Sequence, residues 1–154
     1  MNYKIQLYQR PEKAAIKQIV EIAKLLTDKW FTSNVPGDIE KDLLFHDALC
    51  LLSQEGRLVS FLVFTSLDGS INITLMGTHP DFMGKGYGSI LMNHFFEYVK
   101  SLKFHRIVAF TVPPDTKPSY DSTLKFYLKH GFEIKKRYYE LWEYGAIELV
   151  KDLI

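Results

Sequence analysis

Three glycines fall within five residues of the segment Met83-Gly84-Lys85-Gly86-Tyr87-Gly88-Ser89. Glycine loses more conformational freedom on folding than any other residue, so such a cluster implies a geometric demand. A turn of this kind can aim several backbone N–H groups at one point beside a helix N-terminus, which suits a phosphate or pyrophosphate. Lys85 adds a mobile positive charge at the rim. A Walker loop would follow Gly-Lys with Ser or Thr, whereas Lys85 precedes Gly86. A dinucleotide fingerprint requires G-x-G-x-x-G within a βαβ series, and neither Gly84 nor Gly86 starts one. Judged on glycines alone, a tight turn used only for close packing is an equal alternative.

The surrounding elements decide where such a turn would sit. Tyr3 to Tyr8 alternates apolar and polar residues and reads as a strand. Pro11 opens a helix with Ile16, Ile19, Val20, Ala23 and Leu26 on one stripe. Trp30 to Val35 is irregular, Pro36-Gly37 marks a turn, and Asp38 is placed to cap a short helix with Ile39 and Leu43 inward. Ala48–Ser53, Leu58–Ser66 and Ser70–Thr78 read as three strands joined by hairpin chemistry. The glycine turn then leads into a helix carrying Leu91, Phe95, Tyr98 and Leu102. Arg106–Val112 is a further strand, and Pro113, Pro114 and Pro118 frame a loop. A last helix, capped by Ser119 or Asp121, covers about Ser119 to His130 and stops at Gly131. Phe132–Leu141 and Ala146–Lys151 close the chain as strands. The long crossover from Thr78 to Arg106 can join parallel neighbours, while the other connections are antiparallel in character. This is a mixed α+β pattern.

Composition removes several classes of function. The chain has 154 residues, 47% of them hydrophobic, which fits one domain with one sizeable core. Nineteen basic and eighteen acidic residues leave no basic excess for a nucleic acid. Lys135-Lys136-Arg137 reads as the wet face of a strand. The one cysteine, Cys50, lies in an apolar run and reads as a small buried hydrophobe. The N-terminal segment lacks a signal-peptide stretch, and no run reaches the roughly eighteen apolar residues of a membrane span. The location expected from these features is the cytoplasm, with no membrane partner. The five histidines show no metal-ligand spacing, so no metal is expected.

Order and spacing together carry a family resemblance. Thr78-His79-Pro80-Asp81-Phe82-Met83-Gly84-Lys85-Gly86-Tyr87-Gly88-Ser89-Ile90-Leu91 resembles the main motif of the GNAT family of N-acetyltransferases, V-x-P-x-x-R/Q-G-x-G-x-G/A before an apolar helix. Phe126-Tyr127-Leu128-Lys129-His130-Gly131-Phe132 resembles the closing half of its second motif, N-x-x-A-x-x-F-Y-x-x-x-G-F. The resemblance implies one domain over 1–154, with a strongly twisted mixed sheet of about seven strands and about four helices. It also implies acetyl-CoA as co-substrate, with its pyrophosphate held at Met83, Gly84, Lys85, Gly86, Tyr87 and Gly88, and its pantetheine arm beside Met76 to Thr78. Three positions depart from the family pattern: Met83 replaces Arg or Gln, Tyr120 replaces Asn, and Thr123 replaces Ala. The backbone amide at residue 83 survives its change, whereas the other two alter the surroundings of the last helix.

The implied activity is transfer of acetyl to a primary amine, on a small molecule or a protein, through a tetrahedral intermediate. The alternative is an acyl-CoA-binding sensor or interaction domain without turnover. Transfer requires amine deprotonation, oxyanion stabilisation and protonation of the departing thiolate. The resemblance makes the backbone at Met76 or Thr78 the oxyanion donor. It makes Tyr127 the acid, whose phenol is a neutral donor. The strand Ile71–Thr78 carries no carboxylate, so Glu140 and Glu143 are the candidates for attracting or deprotonating the amine, followed by His79 and Tyr139. Trp30, Phe31, Tyr138, Tyr139, Trp142 and Tyr144 bracket the segments expected to wall the acceptor cleft. Core packing or a homodimer surface would equally use such aromatics.

Overall fold

The computed structural model describes residues 2–153, so both ends of the expected 1–154 domain lie outside it. Strands β1 (Tyr3–Tyr8), β2 (Asp47–Ser53), β3 (Leu58–Leu67), β4 (Ser70–Thr78), β5 (Arg106–Thr111), β6 (Glu133–Tyr138) and β7 (Ala146–Asp152) form one sheet. Their order across it is β1-β2-β3-β4-β5-β7-β6. The only parallel pair among the described residues is β4 with β5. Helices α1 (Lys13–Leu26) and α2 (Val35–Asp42) precede β2, α3 (Tyr87–Ser101) makes the crossover, and α4 (Asp121–Lys129) follows β5.

Strand alternation splits the core into two layers. Leu49, Leu51, Leu62, Phe64, Ile71, Ile73, Ile107, Ala109 and Leu149 pack with residues of α3 and with Tyr127 of α4. Ala48, Cys50, Leu52, Phe61 and Val63 pack on the other face with α1 and α2. Cys50 is buried as expected, and burial pushes its thiol up to about 12.

Several local expectations needed correction. Pro36 and Gly37 lie inside the first turn of α2, because proline tolerates a position with no amide to donate. Asn34 precedes that helix, so Asp38 is a first-turn residue and not its cap. Tyr120 stands at the N-cap of α4, after a short 3-10 turn at Pro118–Tyr120, and neither Ser119 nor Asp121 caps it. The strand expected to reach Leu141 stops at Tyr138, where the chain turns into a loop with Trp142 at φ 60° and Gly145 at φ 83°.

The feature that positions the site is a bulge. Val63 faces Leu75 across the β3–β4 ladder, but Phe64 faces Ile73, leaving Thr74 as the extra residue. Alternation therefore reverses along β4. Ile71 and Ile73 belong to the α3 layer, whereas Leu75 packs against the α1 layer. A Cβ on Gly77 would sit 2.9 Å from Leu26 of α1. His46 Nδ1 and Thr74 Oγ1 hold the bulge through a hydrogen bond of 2.7 Å. Beyond it β4 and β5 diverge: only Ile71, Asn72 and Ile73 pair with Ile107, Val108 and Ala109.

Candidate active site

The divergence leaves the backbone of Thr74 to Thr78 without a strand on its β5 side. A cavity of about 450 Å³ opens there, lined by Thr74, Leu75 and Met76 from β4 and by Phe110 and Thr111 from β5. Tyr120, just before α4, and Thr123 and Tyr127 of α4 contribute to its wall, and the opposite side carries Phe31, Asp38 and Asp42. Trp142, Glu143 and Tyr144 of the β6–β7 loop complete it. Among the described residues, no Lys, Arg or His lines this cavity, and its three ionisable carboxyl groups are Asp38, Asp42 and Glu143. Their charge makes the cavity favourable to a cation, although the chain as a whole is near neutral.

The glycine turn lies at the end of the same strand. Gly84 and Gly86 adopt φ 73° and 85°, the left-handed region that glycine enters without penalty. A Cβ at either position would meet nothing within 4 Å, so neither glycine is there to relieve crowding by the protein. The backbone amides of Gly84, Lys85, Gly86 and Tyr87 make no main-chain hydrogen bond outside the helix among the described residues. No side chain caps α3. A cluster of free amides at the positive end of a 15-residue helix is what an anionic phosphate requires. A Cβ on Gly88 would make ordinary contacts, 3.5 Å from Phe126 and 3.6 Å from the Thr78 hydroxyl, so packing does not demand glycine there. The Thr78 hydroxyl bonds Ser60 at 2.9 Å and does not line the cavity, whereas Met76 does. Met83 packs against the α1 layer.

Tyr127 lies on α4 at 6% exposure, in edge contact with Phe126 and Phe132. Burial raises the pKa of its hydroxyl well above the usual phenol range, so it is a neutral donor across the physiological range. Tyr120 accepts a hydrogen bond from the Thr32 amide at 3.2 Å. That bond ties the loop before α2 to the start of α4, across the open end of the split sheet. The loop itself is closed by Asp28 N to Phe31 O at 3.0 Å, with Asp28 at φ 75°.

The six aromatics expected at the cleft divide evenly. Phe31, Trp142 and Tyr144 line the cavity, and Trp30, Tyr138 and Tyr139 do not. Glu143 lines it, while Glu140 borders a separate shallow depression with Arg137 and Tyr139. His79 is turned away, within 3.2 Å of Arg57 and accepting from the Asp81 amide. Asp38 and Asp42 were missed as site residues. Their four-residue spacing beside inward Ile39 and Leu43 was the available signal.

The chain that forms this split pair, bulged strand and free-amide turn matches a family model. The model for the acetyltransferase (GNAT) family covers residues 16–132. The chain belongs to the GNAT family. Solved structures of GNAT proteins share its fold across nearly the whole chain. One is a GNAT-family acetyltransferase structure from Desulfovibrio desulfuricans, with TM-score 0.81 and 12% identity over 99% of this chain and 98% of that one. The ribosomal-protein-S18-alanine N-acetyltransferase from Escherichia coli gives TM-score 0.76 and 14% identity over 98% and 94%. An aminoglycoside 6'-N-acetyltransferase complexed with coenzyme A gives 0.75 and 14% over 98% and 97%. At these identities the likeness is one of fold. No curated protein matches the GNAT chain by sequence. Among the described residues, no helix is long and apolar enough to cross a membrane.

Proposed function

We infer that this GNAT chain is an acetyl-CoA-dependent N-acetyltransferase acting on a primary amine of a small molecule or a protein. The observation that carries this reading is the position of the β4–β5 split, which opens into the cavity from the strand that ends at the free-amide turn. The residues present fit coenzyme A: the turn offers unpaired donors, open space at both left-handed glycines and a cation at Lys85. The same fold holds coenzyme A in the aminoglycoside acetyltransferase.

Bound acetyl-CoA supplies an acetyl group activated as a thioester. The free amides of the turn hold its phosphates within the cradle at residues 83–88, where the Met83 amide instead donates to Pro80 O. The open edge of β4 takes the arm, and a backbone amide at Met76 or Thr78 stabilises negative charge developing on the acyl oxygen. Tyr127 donates its proton to the departing sulfur and recovers one from the nitrogen that has gained the acetyl group, directly or through water. Asp38, Asp42 and Glu143 draw a protonated amine into the cavity, and the half-buried Asp42 relays its proton outward, directly or through water. Phe31, Trp142 and Tyr144 supply a wall for an apolar or aromatic portion of the acceptor.

Calorimetry with acetyl-CoA, followed by thiol release in the presence of a panel of amines, tests the reading. Binding with amine-dependent thiol release is the expected result. Failure to bind acetyl-CoA would remove it. Binding without turnover of any amine, on small molecules or peptide N-termini, would leave only the cofactor half.

A further inference from the structure

Resting on that reading, we propose that His46 is a positioning residue whose bond to Thr74 sets the acceptor helix α2 against the bulge of β4 without touching either reactant. Thr74 is the one residue of β4 with no partner in either neighbouring strand. Every other residue from Ser70 to Thr78 faces a partner on β3, and pairing with β5 stops at Ile73. The ladders therefore constrain β4 least at the point where its alternation reverses. The His46 Nδ1–Thr74 Oγ1 bond, at 2.7 Å, supplies the tie that the ladders lack there.

The other end of the tie is α2. Asp38, Ile39 and Asp42 line the cavity at helical spacing, and the His46 amide donates to the Asp42 carbonyl at 3.0 Å. His46 is thus one turn from a cavity carboxylate and one hydrogen bond from the strand that carries Leu75 and Met76 into the same cavity. Ile39 and Leu43 bury α2 in the α1 layer. Apolar packing is non-directional, whereas a hydrogen bond fixes distance and angle. The Thr32–Tyr120 bond holds the loop before α2, so polar contacts secure both ends of the helix. His46 is not part of the cavity wall, which leaves proton exchange with the acceptor to Asp42. The tie holds with the imidazole neutral or protonated, because the Thr74 hydroxyl can donate or accept.

The test compares His46→Leu and His46→Asn with the parent. Leucine keeps the bulk and deletes the bond, while the asparagine amide restores a polar atom near the position of Nδ1. Four quantities are measured: Tm, Kd for adenosine 3',5'-bisphosphate, amide hydrogen exchange across Leu75 to Thr78, and kcat and acceptor KM with acetyl-CoA. His46→Leu should lower Tm by roughly 2–6 °C and speed exchange at Leu75 to Thr78. It should lower kcat roughly 10- to 100-fold and raise acceptor KM, because misplacing the reacting groups by about 1 Å has that effect. Binding of the bisphosphate, which reaches only the turn, should not change. His46→Asn should return each quantity towards the parent. Thr74→Val should reproduce His46→Leu, and the double variant should be no worse than either single one. Parental kcat and KM in His46→Leu would overturn the proposal whatever happens to Tm, since they mark a bond that serves stability alone. So would a His46→Asn variant as slow as His46→Leu, which marks ring chemistry that an amide does not replace. A parent inactive with every amine would remove the acetyl-CoA reading and this role together, whereas an active parent with an indifferent His46→Leu removes the role alone.

Discussion

Gly86→Val should separate binding from folding at the glycine turn. Gly86 sits at φ 85°, where a side chain costs about 1–2 kcal/mol of backbone energy and a β-branched one no less. The added Cβ meets no protein atom within 4 Å, so backbone strain is the cost identified for the free protein. For a domain of this size each kcal/mol lowers Tm by about 2–4 °C, giving a fall of about 2–8 °C. The bound state suffers more, because the same Cβ enters the space assigned to the pyrophosphate and tilts the neighbouring amides. A hydrogen bond to a charged group contributes about 1.5–3 kcal/mol, so losing one weakens acetyl-CoA about 10- to 100-fold. Differential scanning calorimetry gives the first quantity and isothermal titration the second. A variant that melts within the expected range but binds acetyl-CoA like the parent would refute the cradle. The family membership would be untouched.

Tyr127→Phe keeps the ring contacts with Phe126 and Phe132 and should lower kcat roughly 10²- to 10⁴-fold with acetyl-CoA Kd unchanged. Near-parental kcat where chemistry limits turnover would remove it as the acid. Tyr120→Phe deletes the bond from the Thr32 amide, which should cost about 1 kcal/mol of stability and raise acceptor KM several-fold without changing acetyl-CoA affinity. An unchanged KM would show that the loop is held by its own contacts. Cys50 predicts an alkaline slope in stability, because burial raises its thiol from 9.0 to about 12. Between those values the unfolded chain releases the proton and the native chain keeps it, so stability falls as pH rises, by at most about 1.4 kcal/mol per pH unit. Chemical denaturation of the parent and Cys50→Ala across that range checks the sign, and the variant should show a shallower slope.

What the amino-acid order determined by itself is local. Two-residue and helical periodicities located the strands and helices to within a few residues, because each pattern reports which side of one element is wet. Gly84, Gly86 and Gly131 announced left-handed backbone, which L side chains resist. Tyr127 was legible only through the resemblance of Phe126 to Phe132 to the family's second motif. Tertiary structure decided the rest of the site. The Thr74 bulge has no local signal; it exists because the β3 register shifts between Val63 and Phe64, and it reverses which residues of β4 face the cavity. Asp38 and Asp42 became cavity carboxylates through the placement of α2, whose preceding loop is tied to Tyr120 from a segment 88 residues away. The aromatics around the cleft were a set in the sequence, but packing divided them, since burial depends on neighbours distant along the chain. Thr111 reads locally as one more β-branched strand residue. Its place in the cavity wall comes from β4 turning away beside it.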